Sequence, residues 1–377
     1  MKRSLPLLLL FLLGWYALEA QTPKSDAARA PATPAAAVAG GEIDRVKARE
    51  LHARFKRGEK LTPEEQTYLD RAVAARGPKQ GGGPQRKGPE HLTPLCDMTA
   101  EDRYEGEDGG LYGAGRNVPP PALQQAAEAQ LARIQPLDAG GKPAAGGRVV
   151  FVSISMSNAT QEFSAFKELA DAAPAKGAKV TIVDCAQGGQ AMAQWAQADA
   201  PPWQVAKTRL IKAGVTPLQV QVAWIKLANK GPTGTLQAHG RELERDTLAV
   251  LQHARALFPN LRIAYLDSRI WGGNANTATN PEPYAYEGAF VVRWLIQRQM
   301  KGDPELAEAK APLLLWGPYL WAEGEKGRKI DQLVWKKEDF VDDGTHPSAS
   351  GRAKVAHLLL DFFSRDPLAK GWFTAGR

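Results

Sequence analysis

Short apolar runs rich in β-branched residues alternate with amphipathic stretches from residue 148 to the end of the chain. The runs have the length and composition of strands, and the stretches between them repeat their apolar residues at helical spacing. This alternation is typical of a parallel sheet that is covered by helices on both faces. It predicts a three-layer, doubly wound, flavodoxin-like α/β fold with five parallel strands, at 148–154, 179–183, 218–224, 262–266 and 312–316.

The chain before residue 148 divides by composition. Lys2 and Arg3 precede an apolar run at residues 5–13, and Ala20 supplies a small residue for cleavage, which is typical of a secretory signal. The apolar stretch is shorter than the roughly 20 residues of a membrane-spanning helix. We therefore expect a secreted or periplasmic protein with no stable membrane insertion after cleavage. The predicted segments are a signal peptide at 1–20, a linker at 21–41, a helical hairpin at 42–76, a flexible linker at 77–90, an ordered extension at 91–147 and the main domain at 148–377.

The start of the second helix of the hairpin has a clear local signature. Thr62 is a good N-cap, Pro63 suits the first helical position and Glu65 completes a capping box. The hairpin is interpreted either as an anchor or partner module, or as a solvated amphipathic appendage.

The net charge of +7 is concentrated before the main domain, because the first 90 residues carry six of these seven charges. The main domain is nearly neutral, so the sequence predicts no nucleic-acid partner. Only Cys96 and Cys185 are available for a disulfide, and their pairing is left open. The cysteines and histidines form no metal-binding motif, so we expect neither a metal nor an organic cofactor.

Functional residues of such a sheet are expected just after the strands, at their carboxyl ends. Ser157 follows the first strand on a strand-to-helix turn, where a nucleophile is exposed beside a helix N-terminus. The alternative is that the serines of this turn simply cap the helix. Gly189 follows the second strand in a pair of glycines, which lets a backbone amide approach a substrate oxygen, although such glycines often only form a turn.

A polar segment before the last predicted helix carries Asp343 and His346. An aspartate three residues before a histidine can hold the imidazole in one tautomer, so that its other nitrogen accepts a proton from a serine. The alternative is a loop in which the exposed histidine has no catalytic role. A serine at the end of the first strand favours the catalytic interpretation.

The order Ser, Gly and then Asp-x-x-His on a five-stranded α/β domain resembles the SGNH hydrolases, a superfamily of GDSL-like esterases. The resemblance covers about residues 148–364. It implies that Ser157 is the nucleophile, that Gly189 is the oxyanion glycine, and that Asp343 and His346 complete the triad. The first block reads Ser155-Met156-Ser157 where the family has Gly-Asp-Ser.

The third block of the family ends its strand with Gly-x-Asn-Asp, and this chain differs there. Two residues are candidates for the side-chain donor to the oxyanion. Lys226 lies closer to the position of the family's asparagine and carries a full positive charge. Asn229 has the same side chain as that asparagine but is displaced by a few residues.

Long loops after the fourth and fifth strands are rich in Arg, Asn and aromatic residues. Such residues suit a sugar-like ligand, which offers hydroxyls to hydrogen-bond and apolar faces to stack on. Alternatively, the aromatics pack the loops onto the core, and Arg269 and Glu282 form a structural ion pair. The candidate substrate-binding residues are Arg269, Glu282, Tyr284 and Trp316.

Together these observations predict a secreted SGNH-type serine esterase. It would hydrolyse small acyl esters through an acyl-enzyme, with an acetylated glycan as the favoured substrate. One rival is a catalytically inactive carbohydrate-binding protein on the same fold. Another is an interaction protein that acts through its basic helical hairpin.

Overall fold

The central sheet has five parallel strands in the order β2-β1-β3-β4-β5, which confirms the predicted fold class. The computed structural model describes residues 44–56, 62, 64, 65, 68, 72, 86 and 88–374. Strand bounds lie within two residues of the prediction, because each strand coincides with a short apolar run. The strands are β1 (Val149–Ile154), β2 (Val180–Asp184), β3 (Val220–Lys226), β4 (Ile263–Asp267) and β5 (Leu313–Trp316).

Helices cover both faces of the sheet, so every residue of β1, β3 and β4 is buried. Single-turn 3₁₀ helices lie at 217–219, 304–306, 324–326 and 337–339. The α-helices are α1 (Arg45–Lys56), α2 (Pro121–Leu131), α3 (Ser157–Ala172), α4 (Met192–Trp195), α5 (Pro201–Lys212), α6 (Leu236–Leu257), α7 (Tyr284–Met300), α8 (Ala349–Arg365) and α9 (Lys370–Phe373).

The strand register brings the polar ends of neighbouring strands to one edge. Ser153 of β1 lies opposite Asp184 of β2, and Lys226 of β3 lies opposite Asp267 of β4. Because all five strands are parallel, the loops that follow them meet above this edge. The candidate residues after β1 to β5 are therefore brought to the same side of the domain.

Residues 91–147 pack on the main domain through buried polar contacts. Arg293 of α7 is 1% exposed, donates to the Asp108 carbonyl over 2.7 Å and forms an ion pair with Glu107 at 2.7 Å. Cys96 and Cys185 are both free and buried.

The capping box at Thr62 is present. The Thr62 hydroxyl accepts from the Glu65 amide at 3.2 Å, and the Glu65 carboxylate accepts from the Thr62 amide at 2.9 Å. The predicted signal peptide and the predicted linker at 21–41 lie outside the described residues. No helix among the described residues has the length and apolar character that crossing a bilayer requires.

Candidate active site

Ser157 is the first residue of α3, in the turn directly after β1. Met156 precedes it in an extended conformation and supplies no side-chain cap. The first amides of a helix have no intrahelical acceptor, so the Ser157 amide is available to a ligand. The Ser157 hydroxyl does not cap α3. It lies 2.7 Å from Nε2 of His346.

His346 and Asp343 lie in the loop before α8 and face the nucleophile. Nδ1 of His346 is 2.6 Å from one Asp343 carboxylate oxygen, while the other oxygen accepts the His346 amide at 2.8 Å. That second oxygen also accepts the Thr345 amide at 2.8 Å. The carboxylate therefore orients the ring and the backbone that carries it, and leaves Nε2 directed at Ser157.

Asp343 is held in its charged form. Burial raises the pKa of its carboxyl, but the hydrogen bonds from the His346 ring and amide outweigh burial and lower the pKa overall. A charged Asp343 stabilises the imidazolium that forms when His346 accepts a proton. Side chains of Asp343 and His346 remain 32% and 27% exposed, so the triad opens to solvent at the surface of the domain.

The loop after β2 lies beside the nucleophile turn. The Gln187 amide donates to the Ser155 carbonyl at 2.9 Å, which ties this loop to the residue two before Ser157. Gly189 has φ +74°, a left-handed conformation that favours glycine, and an added Cβ would meet no atom within 4 Å. Gly189 is exposed. The loop is therefore open to solvent at this position.

Lys226 does not reach the substrate side of Ser157, which corrects the expectation that it donates to the oxyanion. Its side chain is fully buried at the end of β3, and its Nζ lies 2.7 and 2.5 Å from the two oxygens of the buried Glu162. Burial lowers the pKa of Lys226 to about 8, and the charge of Glu162 opposes that shift. Lys226 is part of an internal ion pair beneath α3.

The side-chain amide of Asn229 is hydrogen-bonded to other residues of the protein through both its oxygen and its nitrogen. Its Oδ1 accepts the Ala193 amide at 2.9 Å, and its Nδ2 donates to Asp246 at 2.7 Å. These bonds tie the loop after β3 to α4 and α6. Each amide end thus has a structural partner, which makes Asn229 a weak candidate for oxyanion donor.

Arg269 is buried, and Glu282 is half-buried with both carboxylate oxygens bonded to the protein, which corrects the expectation of direct substrate contact. Arg269 donates to the Thr345 carbonyl at 3.0 Å. Glu282 accepts the Gly272 amide and the Trp321 indole, each at 2.7 Å. Among the described residues, neither side chain has the other within ion-pair distance, so the alternative of a structural pair is also wrong.

Tyr284 and Trp316 belong to the core, at 2% and 4% exposure. The Tyr284 ring meets the His239 ring edge-on at 4.8 Å, and the Trp316 indole donates to the Leu111 carbonyl at 2.7 Å. Neither aromatic face is open to a ligand. The alternative interpretation, that these aromatics pack the loops onto the core, is the one that the structure supports.

The sequence analysis did not single out two residues of α3, one that contacts the histidine loop and one in the internal ion pair. Asn158 donates to the Thr345 carbonyl at 2.8 Å, and Glu162 binds Lys226. Glu162 lies beside Phe163 among buried positions of α3. A charged residue on the apolar face of a helix, together with a lysine ending an apolar strand, was the signal that could have revealed this pair.

No group of three or more His, Cys, Asp or Glu side chains is suitably placed to hold a metal ion among the described residues. The groups gathered at this edge of the sheet are a serine hydroxyl, an imidazole, a carboxylate and free backbone amides. Their arrangement is that of a Ser-His-Asp triad beside a helix N-terminus, which is suited to acyl transfer.

An α/β domain with this sheet order and a triad at the carboxyl edge has the fold that the SGNH resemblance implied. Solved structures of acyl-transfer proteins are similar to it. A Bacteroides fragilis protein assigned as an acylhydrolase is 13% identical, with 63% of this chain and 93% of that chain covered and a TM-score of 0.33. A GDSL-like lipase from Bacteroides thetaiotaomicron is 10% identical, with 63% and 95% covered and a TM-score of 0.25.

The periplasmic domain of a lipopolysaccharide acetyltransferase from Salmonella Paratyphi A is also similar, at 10% identity and a TM-score of 0.33, with 64% and 96% of the two chains covered. No protein-family model matches the chain, and no curated protein matches it either. At these identities and TM-scores the likenesses concern the fold, so an argument about activity depends on the site itself.

Proposed function

We propose that this protein is an SGNH-type serine esterase that hydrolyses small acyl esters through an acyl-enzyme. The observation that carries the proposal is the continuous relay from the Ser157 hydroxyl to Nε2 of His346 at 2.7 Å and from Nδ1 to Asp343 at 2.6 Å. A serine hydroxyl is a weak nucleophile unless a neighbouring base accepts its proton. The relay supplies that base and orients it.

Acylation begins when Oγ of Ser157 attacks the ester carbonyl carbon and its proton passes to Nε2 of His346. The carbonyl oxygen becomes an oxyanion, for which the Ser157 and Gly189 amides are the proposed donors. When the tetrahedral intermediate collapses, the imidazolium gives its proton to the departing alkoxide. An alcohol leaves, and the acyl group stays on Ser157.

Deacylation repeats these steps with water as the nucleophile. His346 accepts a proton from water as the hydroxide oxygen bonds to the acyl carbon, and then returns a proton to Oγ of Ser157. The products are the free acid and the restored hydroxyl. Asp343 keeps its charge throughout and stabilises the imidazolium in both halves of the cycle.

The surroundings of the triad favour a small acyl group on a large polar alcohol, such as an acetylated glycan. Asp343 and His346 are about one-third exposed or less, yet both face solvent. The rim also exposes Gly189 and Asn276, whose Nδ2 donates to the Asp342 carbonyl at 2.8 Å. An open polar rim admits a bulky hydroxylated substrate, whereas a long acyl chain needs an enclosed apolar pocket.

Covalent labelling and turnover test the proposal together. The wild-type protein is expected to react with a fluorophosphonate probe and to hydrolyse p-nitrophenyl acetate and acetylated glycans. Ser157→Ala should remove labelling, and His346→Ala should lower turnover by about three orders of magnitude or more. His253→Ala is the matched control, because this partly buried histidine binds the Ala196 carbonyl at 2.9 Å. A wild-type protein that neither labels nor turns over any ester would refute the esterase proposal.

A carbohydrate-binding protein without activity is the second candidate. It is motivated by the oxyanion site. Both predicted side-chain donors have partners within the protein, Lys226 with Glu162 and Asn229 with Asp246. This candidate predicts glycan binding, measured by calorimetry, in a protein that the probe does not label.

Export is proposed from residues 1–20, and with it a secreted or periplasmic location. The test is expression of the full chain in a bacterial host, followed by N-terminal sequencing of the protein from the periplasm and medium. A mature N-terminus close to residue 21 would support export. Full-length protein that stays in the cytoplasm would contradict it.

A further inference from the structure

The peptide bond between Thr345 and His346 is held from both of its edges. On one side, the Thr345 carbonyl accepts Nδ2 of Asn158 at 2.8 Å and an Nη of Arg269 at 3.0 Å. On the other side, the His346 amide donates to Asp343 at 2.8 Å. Because a peptide unit is planar, bonds to both edges fix its orientation and therefore the direction of the His346 side chain.

The two donors come from different parts of the fold. Asn158 directly follows Ser157 in the first turn of α3, and Arg269 is two residues beyond the end of β4. One carbonyl oxygen thus connects the helix that carries the nucleophile, the sheet and the loop that carries the histidine. A carbonyl oxygen has two lone pairs, so both donors can be satisfied at once.

The burial of Arg269 calls for an explanation. The residue is 1% exposed, and its Nε has no hydrogen-bond partner among the described atoms. No described carboxylate lies within ion-pair distance of its guanidinium, although Glu162, Glu282 and Asp343 are near enough to stabilise its charge. Burying a guanidinium without a contacting carboxylate costs free energy. Packing alone therefore does not explain why an arginine occupies this position.

We propose that Asn158 and Arg269 are positioning residues, which act through the shared Thr345 carbonyl to hold His346 at hydrogen-bonding distance from Ser157. This inference rests on the proposed serine esterase activity and adds two residues to it. Neither side chain is assigned contact with the substrate. With both donors present, the nucleophile and the base cannot move independently, because Asn158 and Ser157 are consecutive residues.

The expected effect is on turnover, because the two residues set the geometry of the base. A displacement of about 1 Å in a catalytic group costs up to roughly 100-fold in rate. Asn158→Leu and Arg269→Met each leave one donor on the carbonyl, so each should lower kcat about fivefold with little change in KM. The double variant leaves none, and its kcat should fall about 100-fold or more, beyond the product of the single effects.

The test is a double-mutant cycle on p-nitrophenyl acetate hydrolysis with full-length protein. Arg293→Met is the matched control, because Arg293 is equally buried and donates to the Asp108 carbonyl, away from the triad. It should lower the melting temperature and leave kcat unchanged. If Arg269→Met does not fold, the kcat values of Asn158→Asp and Asn158→Leu are compared instead. The acid has the same shape as asparagine but sets an acceptor against the carbonyl, so it should be the more damaging variant.

A measurement independent of turnover separates this inference from the proposed function. The Nδ1 proton of His346, bonded to Asp343, should give a downfield proton resonance in NMR that weakens in the double variant but persists in Arg293→Met. If the wild type hydrolyses no ester, the proposed function fails and the resonance still decides the positioning role. The inference is overturned if the double variant loses no more than the product of the single losses, or if the resonance is unchanged.

Discussion

The buried pair of Lys226 and Glu162 offers a sharp test, because removing one partner and removing both have opposite expected outcomes. Lys226→Met leaves the Glu162 carboxylate buried without the cation that contacts it. Lys226→Met combined with Glu162→Leu removes both charges and keeps similar volumes. The sequence suggested that Lys226 serves the oxyanion, whereas its contacts indicate a role inside the fold.

The geometry sets the size of the effect. Both side chains are fully buried, and Nζ of Lys226 contacts both oxygens of Glu162, at 2.7 and 2.5 Å. Breaking such a pair from one side costs roughly 3–5 kcal/mol, whereas replacing both partners by apolar residues is often neutral or stabilising. Arg269 contributes a second positive charge near Glu162, which places the expected loss for Lys226→Met toward the lower end.

Thermal unfolding and esterase kinetics measure the two consequences. Lys226→Met should lower the melting temperature by about 4–5 °C, because the shift is the lost stability, about 3 kcal/mol, divided by the large unfolding entropy of a domain of this size. The double variant should melt near the wild-type temperature. Its kcat should stay within about tenfold of wild type, because neither group is assigned contact with the substrate.

One result would refute this reasoning. If the double variant melts like the wild type but loses at least about 100-fold in kcat, the charge of Lys226 acts in the reaction. A double variant as unstable as Lys226→Met would instead show that the pair itself, and not the unpaired carboxylate, determines stability.

Three further predictions concern the triad and the oxyanion loop. Asp343→Asn should lower kcat by about 10³–10⁴-fold, because the amide no longer selects the required His346 tautomer; single-turnover kinetics measure this, and a loss under about tenfold would contradict it. Gly189→Ala should lower kcat, since a left-handed φ of +74° strains alanine and shifts the amide, whereas Gly188→Ala, where φ is not left-handed, should not; equal kcat values for the two variants would contradict the proposed amide donor. The lowered pKa of Asp343 adds stability that is complete above its unfolded value near 3.9 and lost as pH falls through the lower folded value. The difference in melting temperature between wild type and Asp343→Asn should therefore shrink below about pH 4, and a difference that grows there would contradict the sign.

The fold could be predicted because its signals are local. Apolar β-branched runs produce strands, and their alternation with amphipathic stretches requires helices on both faces. Helices do lie between the strands, as the alternation predicts; α7, for example, lies between β4 and β5. The start of a helix is harder to place from sequence, since α3 begins at Ser157 with no side-chain cap to mark it.

Whether a side chain in a loop faces a ligand or the core could not be predicted in the same way. Arg269, Glu282, Tyr284 and Trp316 follow strands or lie in loops, where a polar or aromatic residue can either face a ligand or pack inward. Composition does not separate these outcomes, because they depend on which neighbouring segments cover the loop. Here the loops after β4 and β5 pack against the histidine loop and the extension at 91–147.

The sequence by itself determined the order of strands and helices along the chain and the chemical types in the triad, because Asp343 and His346 are three residues apart and Ser157 closely follows a strand. Tertiary structure alone decided that Lys226 pairs with Glu162, 64 residues away in the chain, and that Asn158 and Arg269 share the Thr345 carbonyl. The reason is physical. A buried charge or donor takes the partner that packing brings within reach, and that partner lies on another element whose position the local pattern does not encode.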